Sequence, residues 1–172
     1  MCSMTSSHTP TQPTSNTITK DSVFGTPSTI VFTGTTLLLL AIAGQMSHAT
    51  ALIPPLAATA SYIFGMPGIP GTQPRSVVLG HLTAGCIGLV ALGLLGSGMW
   101  VAAVACALAM LVMNTLKIFH IPAVATAALV VLVHPPHHAQ FMGLLVAASV
   151  FLSLMGLAFS KLTGKLQYPL YW

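Results

Sequence analysis

Five polar side chains able to do chemistry lie near the ends of apolar stretches: Arg75, His81, Asn114, Lys117 and His120. Two threonines join them through a repeat. Pro-x-x-Ala-Thr-Ala occurs at Pro55–Ala60 and again at Pro122–Ala127, which puts Thr59 and Thr126 at matching positions. Cations with no carboxylate nearby, hydroxyl donors and proline-led helix starts together describe a site for a small anion. Proline is tolerated at the first turn of a helix, and the unpaired N–H groups there, with the helix dipole, attract negative charge. The histidines are the side chains able to exchange protons near neutral pH. Asn114 and Lys117 are three apart, the spacing of one helical face. Arg75 and Lys117 also read as snorkelling anchors at a membrane interface.

What is missing excludes much. Asp21 is the only carboxylate side chain among 172 residues. A carboxylate pair for glycoside hydrolysis, an oxygen cage for magnesium or calcium and a Ser–His–Asp triad are therefore ruled out. The chain is not expected to be an enzyme or to carry a cofactor. His134, His137 and His138 resemble metal ligands, but they sit in a proline-rich loop with no fourth ligand in view, so no metal is expected. Cys86 and Cys106 fall in apolar runs with no pairing or metal spacing. Five scattered basic residues do not form a nucleic-acid patch.

The elements that position these residues belong to a membrane. Only six side chains are charged and 55% of residues are apolar, whereas a soluble domain carries roughly a quarter charged residues. The expected fold is an all-α membrane protein. Thr29–Ser47, Val77–Leu95, Met99–Phe119 and Phe141–Ser160 each have about the ~20 residues needed to span the hydrocarbon. Two shorter stretches, Ala51–Phe64 and Pro122–Val133, stand between them; the second reaches only about 18 Å as a helix. They are intramembrane helices, broken or re-entrant. Residues 1–27 are Ser-, Thr- and Pro-rich and read as a disordered tail. Residues 28–172 form the membrane domain, in two pseudo-symmetric, inverted halves of about 28–97 and 98–165. If both short stretches cross, all five basic residues fall on one side, which the positive-inside tendency makes cytoplasmic, together with both termini. Small residues spaced four apart (Ala84 and Gly88, Ala105 and Ala109, Gly143 and Ala147) suit close helix packing.

Gln73-Pro74-Arg75, Gly80-His81, the run His120-Ile121-Pro122-Ala123-Val124-Ala125-Thr126-Ala127 and Tyr168-Pro169-Leu170-Tyr171-Trp172 resemble, in order and separation, the HPP family of integral membrane proteins. The resemblance runs from about Thr29 to the end of the chain. The His-Pro-Pro motif that names the family falls at His120-Ile121-Pro122, with Ile in place of the first proline. Val124 stands where the family usually has glycine. The literal His134-Pro135-Pro136 lies after the second short stretch and outside the motif. Family members of cyanobacteria and plastids are implicated in nitrite transport. The resemblance therefore implies a transporter or channel for a small inorganic anion, nitrite first, in the lipid bilayer of a bacterial cytoplasmic membrane. A homo-oligomer is expected because one copy has few helices to line a path. The alternatives are a non-transporting membrane subunit or assembly factor and, third, a His-metal membrane enzyme.

Overall fold

A computed structural model describes residues 25–164 and 168–171. The expected disordered tail lies almost wholly outside these residues, as do Lys20, Asp21 and Lys165. The described chain is six α-helices with no strand: α1 (Pro27–Met46), α2 (Ile53–Gly65), α3 (Pro74–Leu95), α4 (Met99–Thr115), α5 (Ile121–Val133) and α6 (His138–Thr163).

Local chemistry sets these limits. Thr26 caps α1 with its hydroxyl on the Thr29 amide, and Pro27 opens the helix. Proline also sits in the first turn of α2, α3 and α5. At the other ends the chain turns left-handed at Gly96 (φ 76°), His134 (52°) and Gly164 (61°). Helix α4 stops in the same way. Lys117 adopts φ 54°, its amide bonds to the Asn114 carbonyl, and the Ile118 amide bonds back to Met113. The span expected to reach Phe119 therefore ends at Thr115 and has 17 residues. Three helices, α1, α3 and α6, are long and apolar enough to cross a membrane; the other three are apolar but shorter.

The helices run alternately between two ends. Phe32, Phe64 and Phe159 pack as an aromatic triad at one end, with ring centroids 5.1–5.9 Å apart, joining the start of α1 to the ends of α2 and α6. The Leu170 amide bonds to Gln73 Oε1 at 2.8 Å and holds the C-terminal segment there too. At the opposite end Ser47, Leu52, Val133 and His137 border one hollow. Helix α3 is central and packs most extensively on α5, α4 and α6. Its contact with α5 is close because Gly88 has no side chain: a Cβ there would lie 2.9 Å from the Ala127 carbonyl oxygen and 2.8 Å from Val130 Cβ. Ala84, Ala105 and Ala109 are fully buried, as small-residue packing requires. Gly143 and Ala147 are not part of such a face. Both are exposed, and a side chain at Gly143 would meet nothing within 4 Å.

Candidate functional site

Four of the seven residues singled out by the sequence meet in the interior. Thr59 of α2, His81 of α3, His120 at the start of α5 and Thr126 within α5 are each 0% exposed. The imidazoles of His81 and His120 have centroids 5.2 Å apart. Thr59 Oγ1 lies between them, 2.8 Å from His81 Nε2 and 3.0 Å from His120 Nε2. His81 Nδ1 lies 2.9 Å from Thr126 Oγ1, and His120 Nδ1 lies 2.7 Å from the Gly71 carbonyl oxygen.

The donors can be assigned by counting. The Gly71 carbonyl only accepts, so His120 Nδ1 carries a proton and donates to it. In a neutral His120, Nε2 must then accept, and the proton comes from the Thr59 hydroxyl. Thr59 Oγ1 in turn accepts from His81 Nε2–H, which leaves His81 Nδ1 to accept from Thr126. Every polar atom is satisfied, and the chain runs one way: Thr126 to His81 to Thr59 to His120 to Gly71. The two imidazoles are opposite tautomers. The Thr59 hydroxyl also has the Pro55 carbonyl within 2.9 Å. If it turned there, both Nε2 atoms would have to donate, and His120 would be an imidazolium. The described residues contain no carboxylate side chain to pair with such a cation, and an unpaired buried charge is expensive. The chain of neutral groups is the arrangement that leaves nothing unpaired.

Glycines make room for it. A Cβ on Gly80 would stand 2.8 Å from His120 Cβ, and one on Gly71 would stand 3.0 Å from the Phe119 carbonyl oxygen. The loop that carries Gly71 is held by Gln73, which is fully buried. Its Nε2 donates to the carbonyls of Pro67 and Ile69 while its Oε1 accepts from Leu170. Sequence reasoning quoted Gln73 within a motif and missed it as a hub. The only signal was a polar amide among prolines and glycines. Gln73→Leu should free the C-terminal segment, because three carbonyl or amide partners lose their bonds at once. Faster hydrogen exchange at Leu170, with α3 still protected, is the expected reading; unchanged exchange would mean that packing alone holds the segment.

The other three residues stay outside the cluster. Arg75, Asn114 and Lys117 are exposed. Arg75 is six residues before His81 on α3, about 9 Å at ~1.5 Å per residue, and Lys117 precedes His120 in the loop after α4. Both cations thus stand at the end of the bundle from which the buried chain starts inward. Asn114 and Lys117 do not continue one helical face, because the helix ends between them.

The expected amide donors at the two short helices are also largely absent. Before α2 a 3-10 turn, Thr50–Leu52, takes up the first N–H groups: Leu52 bonds to Ala49 and Ile53 to Thr50. Pro54 and Pro55 have none to offer. At α5 the Ala123 amide closes on His120 and Pro122 has no N–H, so at most the His120 and Ile121 amides are left. Side chains carry the polar site; helix ends do not. His134, His137 and His138 are exposed, and no three metal-binding side chains group together among the described residues.

Six apolar helices enclosing a fully buried histidine and threonine chain define a multi-pass α-helical membrane protein with a buried polar centre. The chain belongs to the HPP family: residues 21–169 match the family model described as HPP, transmembrane region. A transmembrane protein of Dictyostelium discoideum is 32% identical over 153 residues, 82% of this chain and 53% of that protein. Another from the same organism is 35% identical over 128 residues, 70% of this chain and 41% of that protein. The chain thus spans about half or less of the length of these curated relatives. No solved structure matches it.

Proposed function

We propose that this chain is the membrane unit of a transporter or channel for a small inorganic anion, with nitrite as the first substrate to test. The observation that carries the reading is the Thr126–His81–Thr59–His120 chain. Ionisable groups inside a membrane bundle are costly and commonly mark solute or proton paths. Here they sit where α2 and α5, the short helices of the two halves, meet beside α3. Arg75 and Lys117 supply positive potential at the end nearest the chain and raise the local anion concentration. Thr59, Thr126 and the imidazole N–H groups are the neutral donors an anion would meet next. Their hydrogen bonds to one another close the path in this state. Passage requires an anion to take over at least one donor, and Thr59, shared by both rings, is the first to give way.

The helix pairing supports the inverted repeat. Exchanging α1, α2, α3 for α4, α5, α6 turns each main helix pairing into another pairing, though of unequal extent: α3 on α5 becomes α6 on α2, and α3 on α4 becomes α6 on α1. In this reading α2 and α5 cross with the loops completing the distance, and α4 crosses as a short span. Arg75, Lys117 and Lys161 then share one side, which is cytoplasmic, in a bacterial cytoplasmic membrane, with the start of α1 and the end of α6 facing that same compartment. Two or more copies assemble around the path, and neither nucleic acid nor an enzymatic role enters the reading.

A second reading, a non-transporting membrane subunit, draws on one fact: the polar chain is complete in itself and needs no solute. Flux decides between them. Purified protein in liposomes should pass nitrite, and a panel with nitrate, formate and bicarbonate gives the selectivity. Arg75→Gln should abolish flux, and Lys117→Gln should lower it about threefold or more, while insertion and unfolding temperature stay unchanged. Absence of flux for all four anions favours the subunit reading. Flux that survives Arg75→Gln makes Arg75 an interface anchor only.

A further inference from the structure

Helices α1 and α4 hold corresponding places, each against one short helix and one long helix of the other half. Yet α4 lies close on α3, whereas α1 touches α6 sparsely. The space left between α1, α2 and α6 is a cavity of about 340 Å³, within the ~300–1,000 Å³ range of small-molecule sites. Its wall is apolar, and Gly44 and Ala147 leave room on facing helices. A second hollow of about 200 Å³ continues it toward the Ser47 end, the two sharing Ser47, Ala49, Leu52 and Leu144. His48, His137 and Gln140 line that second hollow, and none of their side chains has a hydrogen-bond partner among the described residues.

We propose that this gap is a binding site for one phospholipid of the surrounding bilayer, with an acyl chain along α6 and the phosphate at His48, His137 and Gln140. Both α1 and α6 are of membrane length, so the medium at the opening is hydrocarbon. An empty apolar hollow forfeits dispersion contacts that a chain restores. From Leu144 to Phe151 the cavity follows α6 for about 10 Å. An apolar hollow that continues into one bordered by polar side chains at the end of the bundle matches an amphipathic lipid, acyl chain within and head group outermost. At the mouth, imidazole and amide N–H groups are donors, and phosphate oxygens are acceptors.

Native mass spectrometry of the full chain in mild detergent with added phosphatidylglycerol tests this. Wild type should retain one phospholipid per chain. Ala147→Trp, which fills the gap, should cut that occupancy at least tenfold, and Gly44→Leu is the second filling variant should the first fail to fold. His137→Ala with Gln140→Ala should weaken retention severalfold. Gly143→Leu, on the open face of α6, should leave it unchanged. Equal retention by wild type and a folded filling variant overturns the proposal. So does loss of lipid that appears only when a dimer mass is lost, because a second copy would then be the occupant.

Discussion

Thr59→Val should lower the unfolding free energy of the protein in detergent by about 3–5 kcal/mol. Valine keeps the shape and removes one oxygen. That oxygen accepts from His81 Nε2 and donates to His120 Nε2, so two buried atoms lose their partner together. Each unsatisfied buried group costs about 1–3 kcal/mol. Thr126→Val is the comparison. It strips only His81 Nδ1 of a partner and should cost about 1–3 kcal/mol. Equal losses for the two variants would show that Thr59 does not bridge the rings.

Gly80→Ala is the second large effect. The added methyl would stand 2.8 Å from His120 Cβ and 3.4 Å from the Ile118 carbonyl oxygen. Neither neighbour can swing aside, because the His120 ring is fixed at both nitrogens and the carbonyl is backbone. Overpacking of this kind costs about 1–3 kcal/mol. The ring must also move from Thr59 or from Gly71, so combining Gly80→Ala with Thr59→Val should cost less than the two losses added. Fully additive losses, measured by the same denaturant titration, would mean that the methyl is absorbed elsewhere.

Parts of this were legible in the residues and parts were not, for identifiable reasons. The repeat Pro-x-x-Ala-Thr-Ala marked Thr59 and Thr126 because the two short helices carry the same polar group at the same turn. His81 and His120 stood out as polar groups at the edges of apolar runs. Their shared partner did not, since sequence does not show that Thr59 faces both rings. Asn114 and Lys117 looked like neighbours on one face because no glycine or proline marks the end of α4; the left-handed turn at Lys117 is made by an ordinary residue. The amide donors expected at α2 fail on Pro54 and Pro55 themselves, two adjacent residues without an N–H, and on the 3-10 turn that uses the amides before them. The pairing of Gly143 with Ala147 matched a packing motif, yet Gly143 meets no other helix and Ala147 borders the gap between α1 and α6, not a packed face.

The one-way chain fits the place of His120, just ahead of the proline-started helix α5. His120 needs its Nδ1–H on a loop carbonyl and its Nε2 toward Thr59, and Pro122 starts α5 without adding an amide that competes for either partner. Gly71 and Gly80 then allow the loop and α3 to approach the ring.

Nitrogen-15 NMR of histidine-labelled protein in lipid, at neutral pH and without added anion, tests the central claim most directly. The account predicts two neutral imidazoles of opposite tautomer, His81 with its proton on Nε2 and His120 with its proton on Nδ1. Two rings of the same tautomer, or an imidazolium at either position, would contradict it.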